Sequence, residues 1–216
     1  MTKKRKVSKK KITIFMIIIL LIISAAIVPI VLLNNGKEKE STIKVKSVDK
    51  IEGYDYTLNN NATKYYKSLF KELKEVLEAD KVDEDKYANI VTKIFVADFY
   101  NLDNKINKND IGGVQFVYKP FREDFKKLAT DSIYKSIENN LYGDRKQELP
   151  VVTNVSTDKQ DNKKFTYDNK SDEKAYNIDF KIEYQKDLGY QTDGTVTLIH
   201  NDKKIEIVAL EESSKN

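Results

Sequence analysis

The most regular strand pattern in the chain is AYNIDFKIEYQ, residues 175–185. Apolar or aromatic side chains alternate there with polar ones. Because successive side chains of a strand point to opposite faces of a sheet, this alternation predicts one buried and one exposed face. The predicted inner face consists of Tyr176, Ile178, Phe180, Ile182 and Tyr184. The sheet that contains this strand is therefore expected to cover a hydrophobic core on one side.

Further strands are predicted on both sides of this segment. Before it, residues 151–156 form a strand pattern, and Phe165 and Tyr167 indicate a short strand within a polar stretch. After it, residues 192–200 and 203–210 are predicted as two strands joined by a tight turn. The C-terminal third of the chain is thus predicted to be an antiparallel meander.

The last two strands contain a specific prediction of register. Asn201 and Asp202 are residues that suit a two-residue hairpin turn. A turn at these positions pairs Leu198 with Ile205 and places both side chains on the core face.

Three helices are predicted before Pro150. The first covers residues 62–79, with N-cap chemistry offered by Asn59, Asn60 and Asn61. The second is capped by Asp83 and runs to about residue 102, with a broad apolar face that makes it the most buried helix. The third begins at Pro120 and ends near a glycine C-cap at Gly143.

The remaining segments have weaker patterns. Residues 42–48 alternate in the manner of a strand, Gly53 interrupts them, and residues 54–58 alternate again. A strand–turn–strand unit or one strand with a break is predicted here. Residues 104–113 are predicted as a loop with two glycines, and residues 114–118 as a short extended piece.

A different kind of segment precedes all of these elements. Residues 12–33 read ITIFMIIILLIISAAIVPIVLL and contain no charged side chain. As a helix this stretch is about 33 Å long, enough for a bilayer core of about 30 Å. A buried core helix would show some polar face, and a cleaved signal peptide has a shorter apolar region. We therefore expect a retained single-pass signal anchor.

Charge predicts how this anchor is oriented. Seven of the 38 basic residues and none of the 34 acidic residues lie before residue 34, so the rest carries 31 basic and 34 acidic residues. Basic flanks stay on the cytoplasmic side, which places the C-terminal domain outside the cytoplasm. The basic arm is expected to meet anionic lipid head groups, and no nucleic-acid partner is predicted.

These features divide the chain into five parts. We predict a basic cytoplasmic arm at residues 1–11, the transmembrane anchor at 12–33, a stalk at 34–41, an extracytoplasmic domain at 42–210 and a tail at 211–216. The expected localisation is the cell membrane of a bacterium with an AT-rich genome.

The sequence predicts no catalytic, cofactor-binding or metal-binding residue. It has no cysteine, which excludes disulfides, thiolate metal sites and cysteine nucleophiles. His200, the only histidine, lies beside the hairpin turn and is expected to be a solvated surface residue. Asp98, Asp103 and Asp110 could suggest a calcium site, but their spacing does not match the EF-hand loop. We therefore expect a protein that is not an enzyme.

Helices followed by a meander predict an α+β fold, with about three helices packed on a curved antiparallel sheet. The basic arm with one anchor, the early strand and this order of elements resemble the bitopic assembly-factor subunits of type IV secretion and conjugation machines. The resemblance covers residues 12–210 as element order, and Val48-Asp49 with Gly53 is the nearest local similarity. It implies the cone-like fold of nuclear transport factor two and a non-enzymatic scaffold that binds other envelope proteins or itself.

A second function remains open at this point. The same cone fold can enclose a pocket between helices and sheet, so an extracytoplasmic small-ligand-binding module is the alternative. The 13 tyrosines are predicted mainly as residues at the rim of the core. Some could instead line a groove for a partner, and the sequence does not separate these two roles.

Overall fold

The computed structural model describes residues 43–213, and its main sheet is built around one long strand. The elements, in chain order, are β1 (Ser47–Ile51), β2 (Tyr56–Asn59), α1 (Lys64–Leu77), α2 (Glu84–Phe99), α3 (Arg122–Asp131), β3 (Val152–Lys159), β4 (Lys163–Tyr167), β5 (Lys170–Tyr184), β6 (Asp193–Asn201) and β7 (Lys204–Glu212). Two short 3-10 turns, Val114–Phe116 and Lys119–Phe121, lie between α2 and α3. The predicted α+β class, with three helices and an antiparallel sheet, is confirmed.

Strand β5 connects both parts of the five-stranded sheet. The order is β3-β5-β6-β7, and β4 also pairs with β5. Strand β3 pairs with residues 178–184 of β5, whereas β4 pairs with residues 170–175. We call residues 163–175, which comprise β4 and the start of β5, the β4–β5 arm. Strands β1 and β2 form a separate antiparallel pair, which confirms the predicted strand–turn–strand unit.

The predicted alternation along β5 is confirmed. Tyr176, Ile178, Phe180 and Ile182 are buried, whereas Lys181 is exposed. Strand β5 starts at Lys170, however, within a stretch that the sequence indicated only as polar. Asp168 and Asn169 form the turn before it and have positive φ values of 44° and 59°. A short polar residue tolerates that conformation, so the arm closes without glycine.

Helices α1 and α2 pack on the inner face of the sheet, and α2 is the more buried helix, as predicted. Ten of its 16 residues are buried. Asp83 caps it through the backbone N–H of Lys86, and Glu84 and Asp85 occupy its first turn. The predicted asparagine cap of α1 is wrong, because the Thr63 hydroxyl accepts from Tyr66 N–H and caps this helix.

Two helix ends differ from the prediction, and a tertiary hydrogen bond lies just beyond each of them. Helix α2 ends at Phe99, and the backbone N–H of Leu102 bonds to the carbonyl of Pro150. Helix α3 ends at Asp131, far short of Gly143, and the Tyr134 hydroxyl donates to the carbonyl of Phe99 at 2.6 Å.

Two further local predictions are wrong. Residues 114–118 were expected to be extended, but a 3-10 turn starts after Gly113, which has φ +76°. Only Val117 makes a strand-like bridge, to Ile207. Strand β1 covers Ser47–Ile51 instead of residues 42–48.

The β6–β7 hairpin is also displaced from its predicted register. Asp202 and Lys203 form the turn, Asn201 pairs with Lys204, and Leu198 therefore pairs with Ile207 instead of Ile205. Asp202 adopts the positive φ of 53° that the turn requires. Because the shift along the partner strand is two residues, the buried faces stay as predicted.

The predicted membrane anchor at 12–33 lies outside the described residues. Within residues 43–213, no helix combines the length and hydrophobicity needed to cross a bilayer.

Candidate functional site

A cluster of interacting titratable groups from three elements surrounds His200. Asp172 Oδ2 lies 2.7 Å from the imidazole Nδ1 and also accepts the backbone N–H of His200 at 2.7 Å. The His200 side chain is 30% exposed and that of Asp172 is 10% exposed. His200 is thus half-buried and paired with a carboxylate, whereas the sequence predicted a solvated surface residue. The β4–β5 arm brings Asp172 to this position, and 28 residues of sequence separate the two partners.

The other imidazole nitrogen faces the first turn of α2. His200 Nε2 lies 3.8 Å from Glu84 Oε2, and the Glu84 side chain is 65% exposed. The imidazole ring also packs against Tyr176, with 5.3 Å between ring centroids. His200 thus lies between two carboxylates that belong to different elements.

A second group of charges borders this site. Lys159 Nζ bonds Asp85 Oδ2 at 2.8 Å and lies 5.5 Å from the centre of the Tyr176 ring. The hydrogen bond from Lys159 lowers the pKa of the Asp85 carboxyl. Burial, together with the charge of Asp85, raises the pKa of the Tyr176 phenol. Asp85 is therefore an ionised partner of Lys159, and Tyr176 remains a neutral phenol.

Asp172 is held in its ionised form by hydrogen bonding. Burial acts to raise its pKa, but the backbone N–H groups of His200 and Lys174 and the His200 ring outweigh that effect, so the pKa of Asp172 is lowered. A carboxylate that accepts several N–H groups favours the charged state. Asp172 can therefore orient His200, in the way that a carboxylate fixes an imidazole in a catalytic pair.

The site opens onto a groove of about 620 Å³ at the start of α2. Its lining consists of Lys81, Val82, Asp83, Glu84, Asp85 and Tyr176. Three of these residues are acidic. The site therefore places an oriented imidazole, that of His200, beside the carboxylate of Glu84.

A smaller polar cavity of about 100 Å³ lies between β2, the start of α1 and the loop after α2. Lys105 is 4% exposed, and its Nζ lies 2.5 Å from Asp98 Oδ1. The other oxygen of Asp98 accepts the backbone N–H of Gly113 at 2.7 Å. A Cβ on Gly112 would lie 2.8 Å from Lys105 Nζ, so glycine leaves the space that the ammonium group occupies.

The three aspartates considered for calcium are not equivalent. Asp98 and Asp110 border this cavity, whereas Asp103 is exposed. Asp98 pairs with Lys105, and Asp110 accepts the backbone N–H of Ile106. Among residues 43–213, no three histidine, aspartate or glutamate side chains are grouped so as to hold a metal ion.

The tyrosines are more deeply buried than predicted, since the sequence analysis placed most of them at the rim of the core. Seven of them are buried: Tyr56, Tyr66, Tyr87, Tyr100, Tyr118, Tyr134 and Tyr176. Their hydroxyls bond internally, as in the pair of Tyr56 and Tyr87, whose oxygens are 2.8 Å apart. Most tyrosines therefore serve the core instead of a partner surface.

Sequence reasoning missed Asp172, Glu84 and Lys105 as members of these sites. A third of the residues in the chain are charged. These three therefore do not stand out from the charged and polar residues around them. One signal was available for His200, since Val196, Leu198 and His200 recur at every second position and therefore share one face of β6. No family model, curated protein or solved structure matches this chain.

Proposed function

We propose that this protein is a membrane-anchored extracytoplasmic scaffold that acts by binding other envelope proteins, or itself, and not by catalytic turnover. The uncharged stretch at 12–33 and the seven basic residues before it support the anchor and its orientation. An envelope assembly of the secretion or conjugation type is the setting that the order of elements favours.

The observation that carries this proposal is the filled interior between the helices and the sheet. Tyr100 packs on Phe180 with 5.9 Å between ring centroids. The ring centroid of Phe99 lies 4.9 to 5.6 Å from those of Phe95, Tyr100 and Tyr134. A cone-like fold that binds a ligand would use this space as its pocket. Because aromatic side chains occupy this space, a scaffold that acts through its outer surface is favoured.

The test is photo-crosslinking in cells from exposed positions of the domain. Val48, Leu128 and Tyr142 are 59%, 55% and 44% exposed and suit a photoreactive substitution. Tyr118, at 4% exposed, does not. We expect at least one position to give a discrete protein adduct. The same chain without residues 12–33 should lose that adduct, because tethering raises the effective concentration of weak partners.

Two results would contradict the scaffold. One is the absence of adducts at all three positions while the domain is folded and exported. The other is an adduct that forms equally well without the anchor, which would remove the role of tethering.

A small-ligand-binding module is the second candidate, and the cavity beside Lys105 favours it. Gln115 Nε2 donates to the Tyr66 hydroxyl at 2.8 Å, which leaves the Tyr66 hydrogen to donate elsewhere. Among the described side chains, the ammonium of Lys105 bonds only to Asp98. Donors therefore converge on a polar cavity that could hold a small oxygen-bearing solute or ordered water.

Native mass spectrometry of the purified full chain separates these two candidates. A bound species of constant mass that is lost in both Lys105→Met and Tyr66→Phe would favour the ligand module. The scaffold predicts the unmodified mass of the chain in all three proteins. The matched control is Lys71→Met, since Lys71 is exposed and forms its ion pair with the exposed Glu75.

A further inference from the structure

We propose that His200 is a pH-dependent latch that fastens the β4–β5 arm and the start of α2 to strand β6. The proposal goes beyond the scaffold function and does not require the membrane anchor or a partner. It rests on the positions of Asp172 and Glu84 on either side of the imidazole.

The number of hydrogens on the imidazole ring decides which contacts His200 can make. A neutral imidazole has one N–H, and a carboxylate can only accept. Asp172 Oδ2, 2.7 Å from Nδ1, takes that hydrogen. Nε2 then presents a lone pair to Glu84 Oε2, which lies 3.8 Å away. Two acceptors thus face each other in the neutral form, and the contact with Glu84 cannot be a hydrogen bond.

Protonation of His200 strengthens its contacts with both Asp172 and Glu84. The imidazolium has an N–H on each nitrogen, so it can donate to Asp172 and to Glu84 together. The bond to the Asp172 carboxylate is charge-assisted in both forms, and the positive charge on the imidazolium adds a Coulombic attraction to Asp172 and to Glu84. Glu84 is 65% exposed, so its side chain has room to close the remaining gap. Imidazole is the side chain whose charge ordinarily changes between about pH 5 and 8.

The other charges near the site do not compete for His200. Near the imidazole, the α2 start carries Asp83, Glu84 and Asp85, β5 carries Asp172 and Tyr176, and β3 carries Lys159. The paired strand β7 carries Lys204, which lies over the Tyr56 ring, and Glu206, which contacts Asn201 and Arg122. Asp83 accepts the backbone N–H of Lys86, and Asp85 is bonded to Lys159 at 2.8 Å. Tyr176 is a neutral phenol whose ring packs on the imidazole. Glu84 and Asp172 are therefore the two groups that respond to the charge on His200.

The element that the latch controls is the arm. Asp172 belongs to the arm, and its side chain joins the arm to β6 through His200. On the outer face of the sheet, Phe165 and Tyr167 of the arm pack against a small apolar cluster, in which Tyr118, Ala175 and Ile199 are buried. Opening the arm would uncover this cluster. Protonation of His200 therefore keeps the cluster covered, and loss of the proton lets the arm open more often.

Hydrogen exchange of the full chain tests the latch. After correction for the pH dependence of chemical exchange, we expect protection of residues 163–175 to be about three- to tenfold greater at pH 5.5 than at pH 7.5. His200→Gln should show no such pH dependence, because an amide can donate to Asp172 but cannot take up a proton in this range. Equal protection of the arm at both pH values would overturn the proposal.

Glu84→Gln provides the second readout. Because the chain has one histidine, an untagged protein gives a single imidazole signal in an NMR titration. We expect its midpoint to fall by about half a pH unit in Glu84→Gln, a factor of about three in proton affinity. The matched control Glu75→Gln removes an exposed carboxylate of α1 and should leave the midpoint unchanged. An unchanged midpoint in Glu84→Gln would also overturn the latch.

Discussion

The two faces of strand β5 illustrate two ways of holding a structure together. Facing the helices, Ile178, Phe180 and Ile182 join a core with 35 buried residues. The outer-face cluster beside the β4–β5 arm has three buried residues among those described. On the helix side of the sheet, the pair of Asp172 and His200 holds the arm further. Hydrophobic stabilisation is roughly proportional to apolar area removed from water. We therefore infer that the core sets the global stability, while the arm opens locally at lower cost.

Truncation of Phe180 should give the largest effect on this comparison. Phe180 is 1% exposed and packs on Tyr100, so Phe180→Ala should lower the free energy of unfolding by about 3–5 kcal/mol. Its neighbour Lys181 is exposed, so Lys181→Ala should change it by no more than about 0.5 kcal/mol. Urea denaturation of both variants measures the difference. Equal effects would mean that the two faces of β5 do not differ in burial.

Removal of the Lys105 ammonium should give the second largest effect. Lys105→Met leaves Asp98 as an unpaired and mostly buried carboxylate, and the expected loss is on the order of 3 kcal/mol. The double variant with Asp98→Asn should recover part of this loss, because it removes the uncompensated charge. If the double variant is as unstable as the sum of the single variants, the ion pair is not the reason for the loss.

These expectations show how far sequence patterns reach. The alternation along residues 176–184 predicted the buried face of β5, because a half-buried strand repeats every two residues. The Asp83 cap of α2 was likewise predictable, since capping is local in sequence. The positions of Asp172 and Glu84 beside His200 were not, because distant segments bring charged residues together there. The register of the β6–β7 hairpin was not predictable either, because asparagine and aspartate both tolerate positive φ. Asp202 adopts it, with φ of 53°.

Truncation in the arm should have a smaller and local effect. Phe165 of β4 is half-buried against the outer-face cluster, so Phe165→Ala should cost about 1–2 kcal/mol in arm opening. We expect faster exchange in residues 163–175, with a nearly unchanged midpoint of global unfolding. A loss of global stability as large as that of Phe180→Ala would show that the arm belongs to the core.

The smallest expected effect is a loss of arm contacts in acid. The pKa of Asp172 is lowered in the folded protein, so its contribution is fully present above its unfolded value of about 3.9 and is lost as pH falls through the folded value. Arm protection should therefore decline below about pH 4 in the native chain. In Asp172→Asn this decline should be absent. If Asp172→Asn shows the same decline in arm protection below about pH 4, the decline comes from other carboxylates.

The most direct test of the two-region account is native-state hydrogen exchange of the full chain at increasing, sub-denaturing urea concentrations. The account predicts that amides of the β4–β5 arm exchange through a local opening whose free energy depends little on urea. Amides of residues 178–182 should exchange only through global unfolding, with a higher free energy and the full urea dependence. A single opening free energy and a single urea dependence for both regions would contradict it.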